Sequence, residues 1–256
     1  MPERTEFAAG EPSWIDVTTT DVDRATTFYR TIFGWQAEPI DNPDAGGYTM
    51  LTLDGKYVGA LSPRNPQDPS PPHWSVYVNV EDAEKTAEIA TTAGGTVVMP
   101  VMQVFDSGSM AILQDPTGAF ISIWQPQQHK GAQIVDEPGT LTWAELLTTD
   151  TGKAKVFYTE VFGWTAKESD GGYTEYQLGD ASIAGMMGKT PQMPAELPSS
   201  WTPYIRVTNV DKTVGEIGAA GGSIIMPGTD IPMTGGRFAV AADPTGAVFG
   251  LYQAGS

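Results

Sequence analysis

SWIDVTTTDVDRATTFYRTIFGW, residues 13–35, returns as TWAELLTTDTGKAKVFYTEVFGW at residues 142–164, and this echo decides the architecture. Trp14 and Trp143 stand 129 residues apart, as do Trp35 and Trp164. Working outward, GGY recurs at Gly46–Tyr48 and Gly171–Tyr173, and HWSVYVNVED from His73 is answered by SWTPYIRVTNVDK from Ser200. AGGTVVMP at Ala93–Pro100 matches AGGSIIMP at Ala220–Pro227, and DPTGAFISIWQ at Asp115–Gln125 matches DPTGAVFGLYQ at Asp243–Gln253. Ordered matches with small drifts in offset mean an internal duplication.

Each half reads as strand, helix and several strands, and then the same again. Trp14–Thr18 alternates like a half-buried strand, and Asp21 is placed to cap a helix on which Ala25, Phe28, Tyr29 and Ile32 share a face and which Gly34 ends. Tyr48–Leu53 and Tyr57–Leu61 flank the hairpin signal Asp54-Gly55. Pro63–Pro72 is a connector, because proline cannot join a ladder; Trp74–Val80 is a strand and Asp82–Thr92 a helix stopped by Gly94-Gly95. Three strands follow, with Asp115–Gly118 turning into the last. The fold class is therefore α+β, with four βαβββ units, each expected to form its own short sheet. They group as residues 1–126 and 141–256, joined by a linker at 127–140.

With 256 residues, 40% of them apolar, the chain can bury proper cores. No cysteine is present, which excludes disulfides, thiolate nucleophiles and Cys-based metal sites. The net charge is −17 and the 14 Lys and Arg are scattered, so nucleic acid and anionic membrane are not expected partners. The first residues carry no apolar signal region and no run approaches the ~20 residues that span a bilayer. The expectation is a soluble, cytoplasmic monomer or homodimer with a small-molecule ligand.

FYxxxFGW after a first strand, a helix ended by AGG, and DPTG before a final strand together resemble the vicinal oxygen chelate superfamily of glyoxalase I, bleomycin-resistance proteins and extradiol dioxygenases. In overall form the chain is similar to actinobacterial tandem glyoxalase-like proteins that carry the label hydroxylase. The resemblance implies two glyoxalase-like domains, each a cleft between two units, with metal ligands on the first and last strands. Those ligand positions fall here at Trp14 and Trp143, Ser75 and Thr202, Ser122 and Gly250, and near Gly59 and Gly185. The only histidines are His73 and His129, the latter in the linker. A divalent metal needs several N or O ligands converging, so no metal and no other cofactor is expected.

Strand alternation places Trp14, Asp16 and Thr18 on the cleft face, matched by Trp143, Glu145 and Leu147. Asp16 and Glu145, beside aromatic walls, read as general bases, as ligand hydrogen-bond partners, or as structural carboxylates. Ser75, Tyr77 and Asn79 face Thr202, Tyr204 and Arg206 as counterparts; the tyrosines either orient a ligand or pack. Trp124 and Tyr252 continue the wall, and His73 is a rim acid/base or simply exposed. Arg237 has Ser109 as its counterpart and reads as an oxyanion-recognising group of one half or as an ion-pair partner. Met102, Met110, Met226 and Met233 read as adaptable packing. Two functions follow: a metal-independent cleft binding a hydrophobic or aromatic molecule, of the antibiotic-binding type, or a metal-independent enzyme of secondary metabolism with Asp16 or Glu145 as base.

Overall fold

The computed structural model describes residues 3–169, 171–232 and 234–255; Met233 lies outside the described residues. The first half runs β1 (Pro12–Thr19), α1 (Val22–Phe33), β2 (Gln36–Pro39), β3 (Thr49–Leu53), β4 (Lys56–Pro63), β5 (His73–Asn79), α2 (Ala83–Thr92), β6 (Thr96–Val104), β7 (Gly108–Gln114) and β8 (Phe120–Pro126). The second repeats it as β9 (Leu141–Thr148), α3 (Thr151–Phe162), β10 (Thr165–Glu168), β11 (Tyr173–Leu178), β12 (Ala181–Gly188), β13 (Ser200–Arg206), α4 (Val210–Ala219), β14 (Ser223–Ile231), β15 (Gly236–Ala242) and β16 (Val248–Gln253). Caps act where the sequence places them: Asp21 accepts from Arg24 N and Asp150 from Lys153 N, each at 3.0 Å. Gly34 and Gly163 end their helices in the left-handed conformation, φ 75° and 70°.

The units do not form four separate sheets. β1 pairs antiparallel with β5, so both units of the first half share one eight-stranded sheet ordered β2-β3-β4-β1-β5-β8-β7-β6. β9 and β13 join the second half into the equivalent sheet. The physical reason is that β1 and β5 would otherwise be unsatisfied edges with fully buried neighbours.

One face of each sheet carries Ile15, Val17, Val76, Val78, Ile121 and Ile123, or Leu146, Ile205, Phe249 and Leu251, into a core shared by both halves. The helices lie in that core, α2 against α3 and α1 against α4. The FY and DPTG motifs meet there, across the halves. Asp115 Oδ1 accepts from Thr117 N, Thr117 Oγ1 and Ala119 N of its own turn, leaving Oδ2 to accept from Tyr158 of the other half at 2.9 Å. Asp243 organises its turn in the same way and accepts from Tyr29 at 2.8 Å. Trp74 and Trp201 donate to Tyr29 and Tyr158. Each FGW tryptophan is anchored too: Trp35 donates to Gly139 O and Trp164 to Gly10 O, both at 2.7 Å. The second glycine of each AGG is a packing requirement, since a Cβ on Gly95 would lie 2.5 Å from the Phe157 ring and one on Gly222 3.0 Å from the Phe28 ring. These motifs build the junction between halves, and their opposite faces are left to form the clefts.

Candidate functional site

On the cleft face of the first sheet, Trp14 stands opposite Tyr77 and Asp16 opposite Ser75 in the β1–β5 ladder. Tyr77 donates to Asp16 Oδ2 at 2.8 Å, and Tyr48, just before β3, donates to the same oxygen at 3.1 Å. Trp14 Nε1 donates to Tyr48 Oη at 3.0 Å. The second half rebuilds the cluster: Tyr204 donates to Glu145 Oε1 at 2.9 Å, and Trp143 Nε1 to Tyr173 Oη at 2.9 Å. Tyr173, the acceptor of the Trp143 indole, lies beside Glu145 and helps to hold its pKa down. Each cleft thus holds one carboxylate beside two phenols, with an indole behind one of them; both phenols bond Asp16, whereas Tyr204 alone bonds Glu145.

Burial pushes Asp16 above the ordinary carboxylate range, opposed by hydrogen bonds from Tyr77, Tyr48 and Ser75 and by the charge of His73. Burial raises Glu145 as well, opposed by Tyr204 and Tyr173. The four tyrosines are pushed up by burial first and by the neighbouring carboxylate second, which keeps their protons on oxygen. A carboxylate so placed is a better proton acceptor than a free one and retains lone pairs for a ligand donor.

The superfamily's metal does not fit these residues. Tyr204 leans over Gly250, so a side chain there would run into its ring; at Gly185 a Cβ would run into the Tyr173 hydroxyl and the Trp143 indole. Gly185 lies opposite Glu145, but the residue opposite Asp16 is Ala60; Gly59, the expected counterpart, faces Ile15 in the core. No group of three or more His, Cys, Asp or Glu comes together among the described residues. One carboxylate engaged by phenols is not the donor set of a divalent-metal centre.

Trp124 shares the first cleft with Trp14 and Tyr77, and Thr202 lies opposite Glu145 in the second. Arg206 is diverted, its guanidinium bonding the carbonyl of Asp136. Arg237 is not a cleft residue. It shares the helix-facing side of β15 with the buried Ala239 and Ala241, and pairs with Asp211 at 2.9 Å and Asp230 at 2.6 Å. Phe238, one residue on, takes the cleft side against Tyr204. His73 is exposed and its Nδ1 is within 2.9 Å of Pro71 O. Met102 is exposed rather than packed, because it lies on the outward edge strand β6. Tyr48 and Tyr173 were not among the expected site residues, although the repeated GGY carried the signal.

The halves differ at the mouth. Residues 127–133 leave β8, bond the β6–β7 turn through Gln127 N and His129 N to Ser107 O, and insert between the splayed starts of β1 and β4. There Ala132 N donates to Ser13 O and Gln133 N to Tyr57 O, each at 2.8 Å. His129 seats edge-on to Trp14 with centroids 4.4 Å apart. Burial lowers its pKa to about 4, and its Nε2 is buried without a hydrogen-bond partner. In the second half the matching place is a cavity of about 250 Å³ lined by Thr142, Trp143, Ala144, Ser182 and Ile183 with Arg4 and Phe7. A shallow groove of about 620 Å³ beside α1, at Arg24, Thr27 and Ala220, touches neither carboxylate.

Both halves match the model of the Glyoxalase/Bleomycin resistance protein/Dioxygenase superfamily, at residues 12–123 and 140–251. CFP32 of Mycobacterium tuberculosis, named as a candidate glyoxylase, is 40% identical over 99% of this chain and 98% of its own length. The anthracycline biosynthesis protein DnrV of Streptomyces peucetius is 34% identical over 97% of this chain and 95% of its own. In structure the chain is similar to the Mn(II)-bound glyoxalase of Novosphingobium aromaticivorans (TM-score 0.68, 13% identity, 96% of this chain and 82% of that one). It is also similar to the 2,3-dioxygenase LapB of Pseudomonas sp. KL28 (TM-score 0.67, 15% identity, 96% and 92%). At such identities the likeness concerns the fold alone.

Proposed function

Because the chain belongs to the Glyoxalase/Bleomycin resistance protein/Dioxygenase superfamily, we propose that it uses this fold without a metal, to bind a planar aromatic small molecule of secondary metabolism. The observation that carries the reading is the cluster of one indole, two phenols and one carboxylate, placed twice where the superfamily holds metal ligands. Trp14 or Trp143 offers a stacking wall, and the carboxylate accepts a hydrogen bond from a phenolic ligand. The name of DnrV, a relative along nearly the whole chain, supports a polycyclic aromatic of the anthracycline kind as the ligand class.

The test is calorimetric titration of the purified protein with 1,8-dihydroxyanthraquinone, before and after chelation. Saturable binding that survives chelation is expected. Absence of saturable binding, or binding lost together with about one Zn, Fe, Mn or Ni per cleft, overturns the reading.

A second reading, a metal-independent isomerase, cyclase or lyase, is favoured by one observation: burial makes both carboxylates stronger bases than free ones. In that case Asp16, held by Tyr48 and Tyr77, or Glu145, held by Tyr204, takes a proton from the ligand. Asp16→Asn or Glu145→Gln would then abolish turnover while retaining most of the affinity.

A further inference from the structure

The duplicated clefts are not equivalent, and the difference indicates which one is free to take a ligand. In the first half the place beside Trp14 is filled by the protein's own chain. The His129 imidazole lies edge-on to Trp14 (4.4 Å), Trp124 (5.7 Å) and Tyr57 (6.4 Å), and Trp124 Nε1 donates to its carbonyl at 2.9 Å. Gly131 allows the chain to enter: its φ is +114°, and a Cβ there would lie 2.6 Å from Ser13 O. Trp14 and Asp16 are accordingly only 4% and 5% exposed.

The second half has the same frame and, among the described residues, no such occupant. Trp143 takes the place of Trp14, Tyr252 that of Trp124, and Ser182 that of Tyr57. The exchange of a tyrosine for a serine removes a ring from the wall. Among the described residues no aromatic ring packs on Trp143, and Trp143 and Glu145 are both partly exposed. The opening that Ala132 and Gln133 fill between β1 and β4 is, between β9 and β12, the cavity of about 250 Å³ that reaches Trp143. Glu145 follows two residues after Trp143 on β9 and is one methylene longer than Asp16.

We propose that the C-terminal half is the ligand-taking half, entered between β9 and β12, and that the N-terminal half is occupied by its own chain, with His129 in the ligand's position. The ligand class that fits is a planar, uncharged, phenol-bearing ring system. Its edge or face meets Trp143 as the imidazole meets Trp14, and its hydroxyl donates to Glu145. This assignment rests on the binding function proposed above.

Titration with 1,8-dihydroxyanthraquinone separates the two. The native chain should bind one equivalent. Ser182→Tyr, which restores the first half's wall, and Trp143→Ala should each weaken binding by about tenfold. His129→Ala, alone or with Tyr57→Ser, should open the first cleft and raise the stoichiometry from one to two. Two equivalents in the native chain, or an affinity indifferent to both Ser182→Tyr and Trp143→Ala, overturns the assignment while the binding function stands. A stoichiometry that stays at one in folded His129→Ala and His129→Ala/Tyr57→Ser chains overturns the role of His129. No binding by any form removes the binding function itself, and this assignment with it.

Discussion

The hydroxyl of Tyr29 reaches 2.8 Å from Asp243, a carboxylate 214 residues away in the other half, and Tyr158 makes the reciprocal bond to Asp115. Both tyrosines are fully buried and both aspartates nearly so. Tyr29→Phe should therefore leave Asp243 Oδ2 without its donor and cost about 1–3 kcal/mol, as should Tyr158→Phe at Asp115. Urea unfolding curves check this. A loss below a few tenths of a kcal/mol for both would mean water replaces the phenol.

The AGG glycines provide a steric counterpart. Gly95→Ala places a methyl 2.5 Å from the Phe157 ring and 2.8 Å from Gln114 O. Backbone cannot give way there as a flexible side chain would, so a destabilisation of about 1–3 kcal/mol is expected. Gly94→Ala should also cost stability, through its φ of +88° rather than through contact. Thermal unfolding of the pair, with a crystal structure of Gly95→Ala, separates strain from collision.

Stability should carry the signature of the buried carboxylates. Glu145 is raised from 4.5 and Asp16 from 3.8 by burial, so the folded state favours their protonated forms. Their contribution is complete below those ordinary values and is lost as pH rises through the raised folded values. Relative to the native chain, Glu145→Gln should therefore gain ground as pH is raised from about 4.5, the value at which the free group titrates. Unfolding free energies from pH 4 to 8 test it; a difference independent of pH would mean Glu145 titrates as it does in the unfolded chain.

His129 should act in the opposite sense. Its pKa falls from 6.5 to about 4 through burial, so its neutral form stabilises the fold above pH 6.5, and that contribution is lost as pH falls toward 4. An NMR titration of the imidazole should show a midpoint near 4. A midpoint near 6.5 would mean that residues 127–133 leave the cleft in solution.

Much of the fold was legible because duplication doubles every signal: a cap at Asp21 is more credible when Asp150 repeats it. Alternation was enough to put Trp14 and Asp16 on one face of β1 and Trp143 and Glu145 on one face of β9, and to pick out Tyr77 on β5 and Tyr204 on β13 as cleft-facing. What alternation does not carry is which distant strand lies alongside. Tyr48 reaches Asp16 because β4 runs parallel to β1 and β3 folds back on β4, a pairing set by the whole sheet. The merging of units through β1–β5 and β9–β13 is nonlocal in the same way, and so four sheets were expected where two form. Arg237 turned to the helix side because Ala239 and Ala241 share its parity and are buried in the core. His129 looked like part of a tether because nothing in its neighbours announces that the chain folds back over Trp14.

The exchanged tyrosine–aspartate bonds have a consequence for how the molecule is held together. Each half supplies the donor that the other requires, which is the logic of a two-fold dimer in which a surface recognises its own copy. Joining the partners in one polypeptide makes that recognition intramolecular, so the pairing no longer depends on dilution. It also ends the obligation of the two surfaces to stay identical. Once paired by covalent connection, one half is free to close its cleft with its own backbone while the other keeps its cleft open. No homodimer of identical subunits has that freedom while it keeps its symmetry.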